Sequence, residues 1–114
     1  MTSPATELRL VVSNVPDDAV ASTIARALVD ECLAACVNVL GACRSVYRWQ
    51  GAVESADEIT LLVKTTRARH DECVRRLAAL HPYDVPEIVT LAPEAVWPSY
   101  AQWAIDETAP SAGA

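Results

Sequence analysis

The sequence of 114 residues contains no phenylalanine and only three glycines, and its nine lysines and arginines are outnumbered by fifteen aspartates and glutamates. The resulting net charge of −6 argues against nucleic-acid binding, because phosphate backbones are neutralised by clustered basic side chains. The chain also lacks a Gly-rich loop of the kind that cradles phosphate groups. These absences disfavour nucleic-acid-binding proteins and phosphate-loop enzymes.

Long apolar segments are missing as well. The start of the chain, MTSPATELRL, has no basic stretch followed by an apolar one, so a signal peptide is not expected. No apolar run approaches the roughly 18 residues that a membrane helix needs. We therefore expect a cytoplasmic protein without a membrane partner. The four cysteines lack the paired CxxC spacing of a structural zinc site. We expect all four to be reduced and buried as small apolar side chains: Cys32, Cys36, Cys43 and Cys73.

Hydrophobic residues are plentiful, at 52% of the chain, so one domain can bury a core without disulfides or a structural metal. We place that domain at residues 7–108. The flanking segments 1–6 and 109–114 are small and contain proline, and we expect both to be disordered tails.

Apolar periodicity predicts a β-α-β-β-α-β order followed by a C-terminal helix. Leu8, Leu10 and Val12 are expected to form the apolar face of the first strand. This order is typical of an α+β, ferredoxin-like sandwich with both crossover helices on one face of a four-stranded antiparallel sheet. The later elements are a helix at about 18–34, strands at 36–49 and 52–65, a helix capped by Thr65 or Thr66 and stopped by His81-Pro82, a strand at 87–91 and a helix from near Pro98.

The two central strands are too long for one subunit. A strand of about 14 residues spans about 45 Å, whereas a domain of this length is roughly 35 Å wide. The hairpin must therefore protrude or bend, and Gly41 is where a bulge can bend it. Its outer part carries Val46, Tyr47 and Trp49 on an open-edged ribbon, which predicts pairing with another copy of the chain.

Five segments within residues 8–107 carry a pattern that extends over nearly the whole chain: LVDECLAACVNVL, SVYRWQGAVE, EITLLVKT, HPYDVPEI and WPSYAQWAIDET. Together they resemble successive blocks of the CutA family, the divalent-cation-tolerance proteins. The resemblance implies a ferredoxin-like subunit similar to the PII signalling proteins. It also implies a homotrimer whose long hairpins clasp neighbouring subunits, and a role in the response to metal ions, copper above all.

The copper site described for bacterial members of that family transfers only in part. It uses a cysteine at the end of the first strand and two successive histidines before Pro-Tyr. The matching positions hold Ser13 and Leu80-His81, so two of three ligands are replaced, including the thiolate that favours Cu(I). The resemblance therefore predicts weak binding of copper or another divalent cation as cofactor.

The segment HPYDVPE, residues 81–87, is open to three interpretations. In the first it is a structural loop made rigid by its two prolines. In the second it is a metal site, in which His81, Asp84 and Glu87 supply one nitrogen and carboxylate oxygens to a divalent cation. In the third it lines a ligand pocket between subunits, formed by Tyr47, Trp49, Lys64, Tyr83 and Glu87.

Catalysis is not expected. His70 is predicted to be solvated, and the Asp57-Glu58 pair is predicted to face water or to pair with Arg44 across the hairpin. The function we predict is divalent-cation tolerance through weak metal binding by a non-enzymatic trimer. The alternatives are a PII-like sensor of a small metabolite, with an anion or nucleotide suggested by the fold, and a scaffold for protein partners.

Overall fold

The fold follows the predicted order of elements. The computed structural model describes residues 7–110, so the predicted tail at 1–6 and the last four residues of the predicted tail at 109–114 lie outside the described residues. Within that range no helix is long and apolar enough to span a membrane. The elements are β1 (Leu8–Val15), α1 (Asp18–Asp30), β2 (Cys36–Trp49), β3 (Ala52–Thr66), α2 (Arg67–Leu80), β4 (Val89–Leu91) and α3 (Pro98–Thr108).

The strands form one antiparallel sheet in the order β2-β3-β1-β4, which is the arrangement of a ferredoxin-like α+β fold. Ile24 and Leu28 of α1 and Leu77 of α2 pack in a single core cluster with Val11 and Val63 of the sheet. Both crossover helices therefore cover the same face, as predicted.

The buried face of β1 differs from the prediction. Val11, Ser13 and Val15 point toward α1 and α2 and are fully buried, whereas Leu10 and Val12 lie on the opposite face and are partly buried. The alternation of side chains along β1 does not identify the face that the helices cover, because this central strand carries apolar residues on both faces. Leu8 lies on the second face as well, where it packs against α3 in a separate small cluster.

Ser13 is a polar residue in this core, and its hydroxyl has no hydrogen-bond partner among residues 7–110. We expect Ser13→Ala to raise the free energy of unfolding by about 1 kcal/mol, since an unsatisfied buried hydroxyl is costly. Urea denaturation at fixed protein concentration measures this. Ser22→Ala, at an exposed position of α1, is the matched control and should change stability by about 0.5 kcal/mol or less. A loss of stability in Ser13→Ala would contradict the prediction.

Helix α1 ends four residues earlier than predicted, at Asp30 rather than at residue 34. Cys32 adopts a left-handed conformation with φ of 58°, and the N–H groups of Leu33 and Ala34 both bond to the carbonyl of Leu28. Such a turn closes a helix by satisfying its last carbonyl groups. Leu33 and Ala34 then enter the core from a loop instead of from the helix.

The cysteines are all free thiols, as predicted, but only Cys73 is fully buried. Burial raises the pKa of the Cys73 thiol to about 11. Cys32, Cys36 and Cys43 are partly exposed, so the expectation of four buried side chains is wrong for these three. They lie in the turn after α1 and along β2, which is an edge strand of the sheet.

The hairpin of β2 and β3 has the length and the bend that were predicted. Its turn places Gln50 and Gly51 at φ of 49° and 83°, which fits a tight turn matched to the twist of the strands. The register shifts between Leu40 and Ala42, so Gly41 is the site of the bulge. Beyond it Val46 and Val53 are 68% and 65% exposed, and the subunit measures 49 Å along its longest axis.

Candidate functional site

His81 lies at the end of α2 and connects the HPYDVPE loop to β1 through hydrogen bonds. It is 7% exposed, and both ring nitrogens make hydrogen bonds. Nε2 donates to the carbonyl oxygen of Asn14 at 2.8 Å, because that oxygen can only accept. Nδ1 accepts the backbone N–H of Tyr83 at 3.2 Å. The imidazole is thus used on both sides to hold the loop, and neither nitrogen is free to bind a metal ion in this arrangement.

Tyr83 connects the HPYDVPE loop to the hairpin. Its ring lies 4.8 Å from that of His81, and its hydroxyl donates to Oε2 of Glu58 at 2.8 Å. Burial and the hydrogen bond to Glu58 raise the pKa of Tyr83 to about 12, so the hydroxyl remains a donor at neutral pH. Glu58 is 8% exposed, which corrects the expectation that it faces water. Asp57 does pair with Arg44, at 3.6 Å, as predicted.

A row of polar side chains crosses the sheet beside this connection. Thr60 donates its hydroxyl hydrogen to Oδ1 of Asn14 at 2.7 Å, and the amide of Asn14 donates to Oε1 of Glu87 at 3.4 Å. The thiol of Cys43 lies 3.4 Å from the Thr60 hydroxyl. The row orients Asn14 and Glu87 at the junction of β1, the loop and the hairpin.

These elements border a half-open cavity of about 750 Å³, within the size range of small-molecule sites. The structure brings together five of the predicted site residues there: Tyr47, Trp49, Tyr83, Asp84 and Glu87. The remaining lining residues were not among the predicted site residues: Asn14, Ser45, Val46, Glu54, Glu58, Pro82 and Val85.

Two predicted site residues lie elsewhere. Lys64 is placed over the ring of Tyr100 on α3, with its Nζ 5.6 Å from the ring centroid, and it does not line the cavity. His81 lies behind the cavity wall and supports it. The cavity therefore contains the predicted aromatic wall without the predicted cation.

The electrostatic character of the cavity is set by carboxylates. Glu54, Glu58, Asp84 and Glu87 line it, and its lining includes no lysine or arginine. Across residues 7–110, however, no three His, Cys, Asp or Glu side chains converge closely enough to hold a metal ion. The site is acidic, and its acidic groups are spread around the cavity.

His70 was expected to be solvated, and it is so only in part, since its side chain is 26% exposed and both ring nitrogens lie near polar groups. Its Nε2 lies 2.7 Å from the hydroxyl of Thr90, and its Nδ1 lies 2.9 Å from Oδ1 of Asp71. The contact ties α2 to the short edge strand β4. Helical periodicity could not predict this contact, because the position of β4 relative to α2 is determined only when the sheet assembles.

The site contacts that the sequence did not predict join residues that are far apart in the chain. Glu58 and Tyr83 are separated by 25 residues and Asn14 and Glu87 by 73, so only the packing of the loop against β1 and β3 makes them neighbours. Glu58 left no signal of its burial, because alternation with Ile59 and Leu61 assigns it to the face away from the core.

Known proteins resemble this chain over nearly its whole length. The family described as CutA1 divalent ion tolerance protein matches residues 9–107. The divalent-cation tolerance protein CutA of Thermus thermophilus is 48% identical over 99 residues, which cover 87% of this chain and 96% of that protein. The CutA homolog of Xenopus laevis is 40% identical over 80% of this chain and 60% of its own length.

Solved structures agree with the sequence comparison. The crystal structure of CutA from Xylella fastidiosa superposes with a TM-score of 0.87 at 41% identity, covering 90% of this chain and 98% of that one. The Thermus thermophilus Cut A1 structure gives 0.86 at 46% identity, covering 89% and 98%. The chain thus shares both its sequence and its fold with CutA proteins over most of its length, and it belongs to the CutA family of divalent-cation tolerance proteins.

Proposed function

We propose that this chain contributes to divalent-cation tolerance as a homotrimer that binds divalent cations weakly in the cavity between the HPYDVPE loop and the hairpin. One observation carries the proposal: the cavity is lined by four carboxylates and by no basic side chain. Such a lining attracts cations and repels anions. This argues against the anionic metabolite or nucleotide that fold analogy suggested.

The assembly is supported by the exposed surface of the hairpin. Val46, Val53, Tyr47 and Trp49 are each more than 40% exposed on a ribbon that extends past the bulge at Gly41. An apolar ribbon with open edges is a surface that proteins normally cover. We propose that a copy of the same chain covers this surface, so that the cavity becomes a cleft between subunits. The number three follows from the resemblance to the CutA family.

With both nitrogens of His81 in hydrogen bonds, only oxygen ligands remain, and these hold borderline ions such as Zn²⁺ and Cu²⁺ weakly. The carboxylate oxygens of Asp84 and Glu87 suit Zn²⁺ or Cu²⁺ with water or a neighbouring subunit completing the shell. High-affinity Cu(I) binding is not expected, because Ser13 is a hydroxyl buried in the core and both nitrogens of His81 are occupied. Any metal response of this chain should therefore depend on the acidic side chains.

Calorimetric titration with Cu²⁺ and Zn²⁺ tests the proposal. We expect the wild type to bind with a Kd between about 10 μM and 1 mM, and Glu87→Gln to weaken binding by about threefold or more, since it removes one charged ligand. Glu94→Gln makes the same charge change at an exposed position outside the cavity and should leave the affinity unchanged. Absence of heat up to about 1 mM metal, or equal losses in the two variants, would refute the cavity as a metal site.

A second candidate function, that of a small-molecule sensor, is favoured by the walls of the same cavity. Tyr47, Trp49 and Tyr83 present aromatic surface to a space large enough for an organic ligand. A simple metal ion uses none of that surface. The two candidates share the acidic lining and differ in what the aromatic rings contact.

A further inference from the structure

The two hydrogen bonds of His81 fix the protonation state of its ring. Nε2 carries a hydrogen, because it donates to the backbone carbonyl of Asn14 at 2.8 Å, and a carbonyl oxygen can only accept. Nδ1 carries none, because it accepts the backbone N–H of Tyr83 at 3.2 Å. Both partners are main-chain groups, which cannot exchange donor and acceptor roles as a hydroxyl can. This arrangement therefore holds the neutral ring in one tautomer.

A second proton on the ring is incompatible with the arrangement. It would be placed on Nδ1, where it would meet the N–H of Tyr83, so that two donors would replace one hydrogen bond. Little water reaches the ring to solvate the new charge, since His81 is 7% exposed. Protonation of His81 thus requires that its ring and the backbone of Tyr83 move apart.

The titratable groups around this part of the loop are all acidic. Negative charge favours a positive ring. Within residues 7–110, however, both hydrogen bonds of the His81 ring are to main-chain groups, so none of the acidic groups replaces the bond that protonation breaks. The last turn of α2, residues 77–80, contains no titratable side chain. The acidic groups are Glu58 of β3, Tyr47 of β2, Asp17 before α1, and Asp84 and Glu87 of the loop.

Tyr83 links the ring of His81 to the wall of the cavity. Its N–H contacts the ring, and its hydroxyl donates to Oε2 of Glu58 at 2.8 Å. Its side chain lines the cavity together with those of Asp84 and Glu87. Movement of the Tyr83 backbone away from His81 therefore displaces the wall that the loop forms.

We propose that His81 is a pH-sensitive switch, which holds the HPYDVPE loop against β1 when its ring is neutral and releases the loop when the ring is protonated. The stability that the neutral ring confers is lost as the pH falls, because only the released or unfolded chain takes up the proton. Histidine is the side chain that ordinarily changes charge between about pH 5 and 8, so we expect release in that range. The switch operates without a ligand, and its test is independent of the proposed function.

Nuclear magnetic resonance titration of the EDTA-treated protein tests the inference. The chain contains two histidines, so the His70→Gln variant leaves the ring of His81 as the only imidazole. We expect its nitrogens to show the Nε2–H tautomer at about pH 7.5, and the Tyr83 amide to lose its hydrogen bond in step with protonation of the ring. An Nδ1–H tautomer at about pH 7.5, or protonation of the ring with the Tyr83 amide signal unchanged, would overturn the inference.

Urea denaturation at fixed protein concentration measures the size of the effect. Between about pH 7.5 and 5.5, the unfolding equilibrium constant of His70→Gln should rise about tenfold more than that of His70→Gln/His81→Asn. Asparagine keeps an acceptor for the Tyr83 N–H but takes up no proton. His70 is replaced in both proteins, because its ring lies 2.9 Å from the Asp71 carboxylate and would add a titration of its own. Carboxylates titrate alike in the two proteins, so an equal pH dependence in both would refute the switch.

Discussion

Replacing His81 with alanine should lower the free energy of unfolding by about 3 to 5 kcal/mol, with or without a chelator present. The variant leaves a void at a position that is 7% exposed. It also removes the hydrogen-bond partners of the Asn14 carbonyl and the Tyr83 N–H, which lie 2.8 and 3.2 Å from the ring nitrogens. Urea denaturation of the EDTA-treated protein measures the loss.

Two further variants measure how much of that loss in stability is due to each ring nitrogen of His81. Asparagine places an acceptor near the position of Nδ1, and glutamine places a donor near the position of Nε2. His81→Asn and His81→Gln should each be about 1 to 2 kcal/mol more stable than His81→Ala. His70→Ala, whose side chain is 26% exposed, is the control and should cost about 1 kcal/mol or less. A His81→Ala protein as stable as wild type would show that the imidazole does not hold the loop.

Replacing Val46 with glutamate should convert the proposed trimer into monomers. Val46 is 68% exposed in the single subunit, so a charge there costs the isolated chain little. In an assembly that covers the hairpin, the same carboxylate would be buried without a partner, which costs about 3 to 5 kcal/mol. That loss corresponds to a rise in the dissociation constant of each contact by about 100-fold or more. Analytical ultracentrifugation across the micromolar range measures the change.

The control for this experiment is Ala78→Glu, which introduces the same charge at an exposed position of α2, away from the hairpin. It should sediment as the wild type does. Far-ultraviolet circular dichroism should show the same secondary structure in both variants, because neither alters the core. A wild type that is monomeric at micromolar concentration, or a Val46→Glu protein that remains oligomeric, would contradict the proposed assembly.

Much of the fold could be predicted because its signals are local. The turn at Gln50-Gly51, the bulge at Gly41 and the stop of α2 at His81-Pro82 each depend on the backbone preferences of one or two residues. The side of β1 that faces the helices could not be predicted in this way. Both of its faces are apolar, and the positions of α1, α2 and α3 decide which one is buried by which helix.

The residues of the candidate site were predicted only in part, because the contacts between elements are not visible in the sequence. The aromatic and acidic residues of HPYDVPE and of the hairpin were recognisable by type, and the structure gathers Tyr47, Trp49 and Tyr83 around one cavity. Lys64 was assigned to the same site, yet it lies over Tyr100. Position along a strand specifies the face on which a side chain lies, but not the element that comes to cover it.

Residue order alone therefore specified which segments are strands and helices, how long the hairpin is and to which family the chain belongs. These properties depend on periodicity, turn chemistry and motifs that are contained within short stretches of sequence. Tertiary packing decided the role of His81 as a loop anchor, the burial of Glu58 and the acidic character of the cavity. Each of these depends on residues far apart in the chain, whose approach is determined by the docking of whole elements.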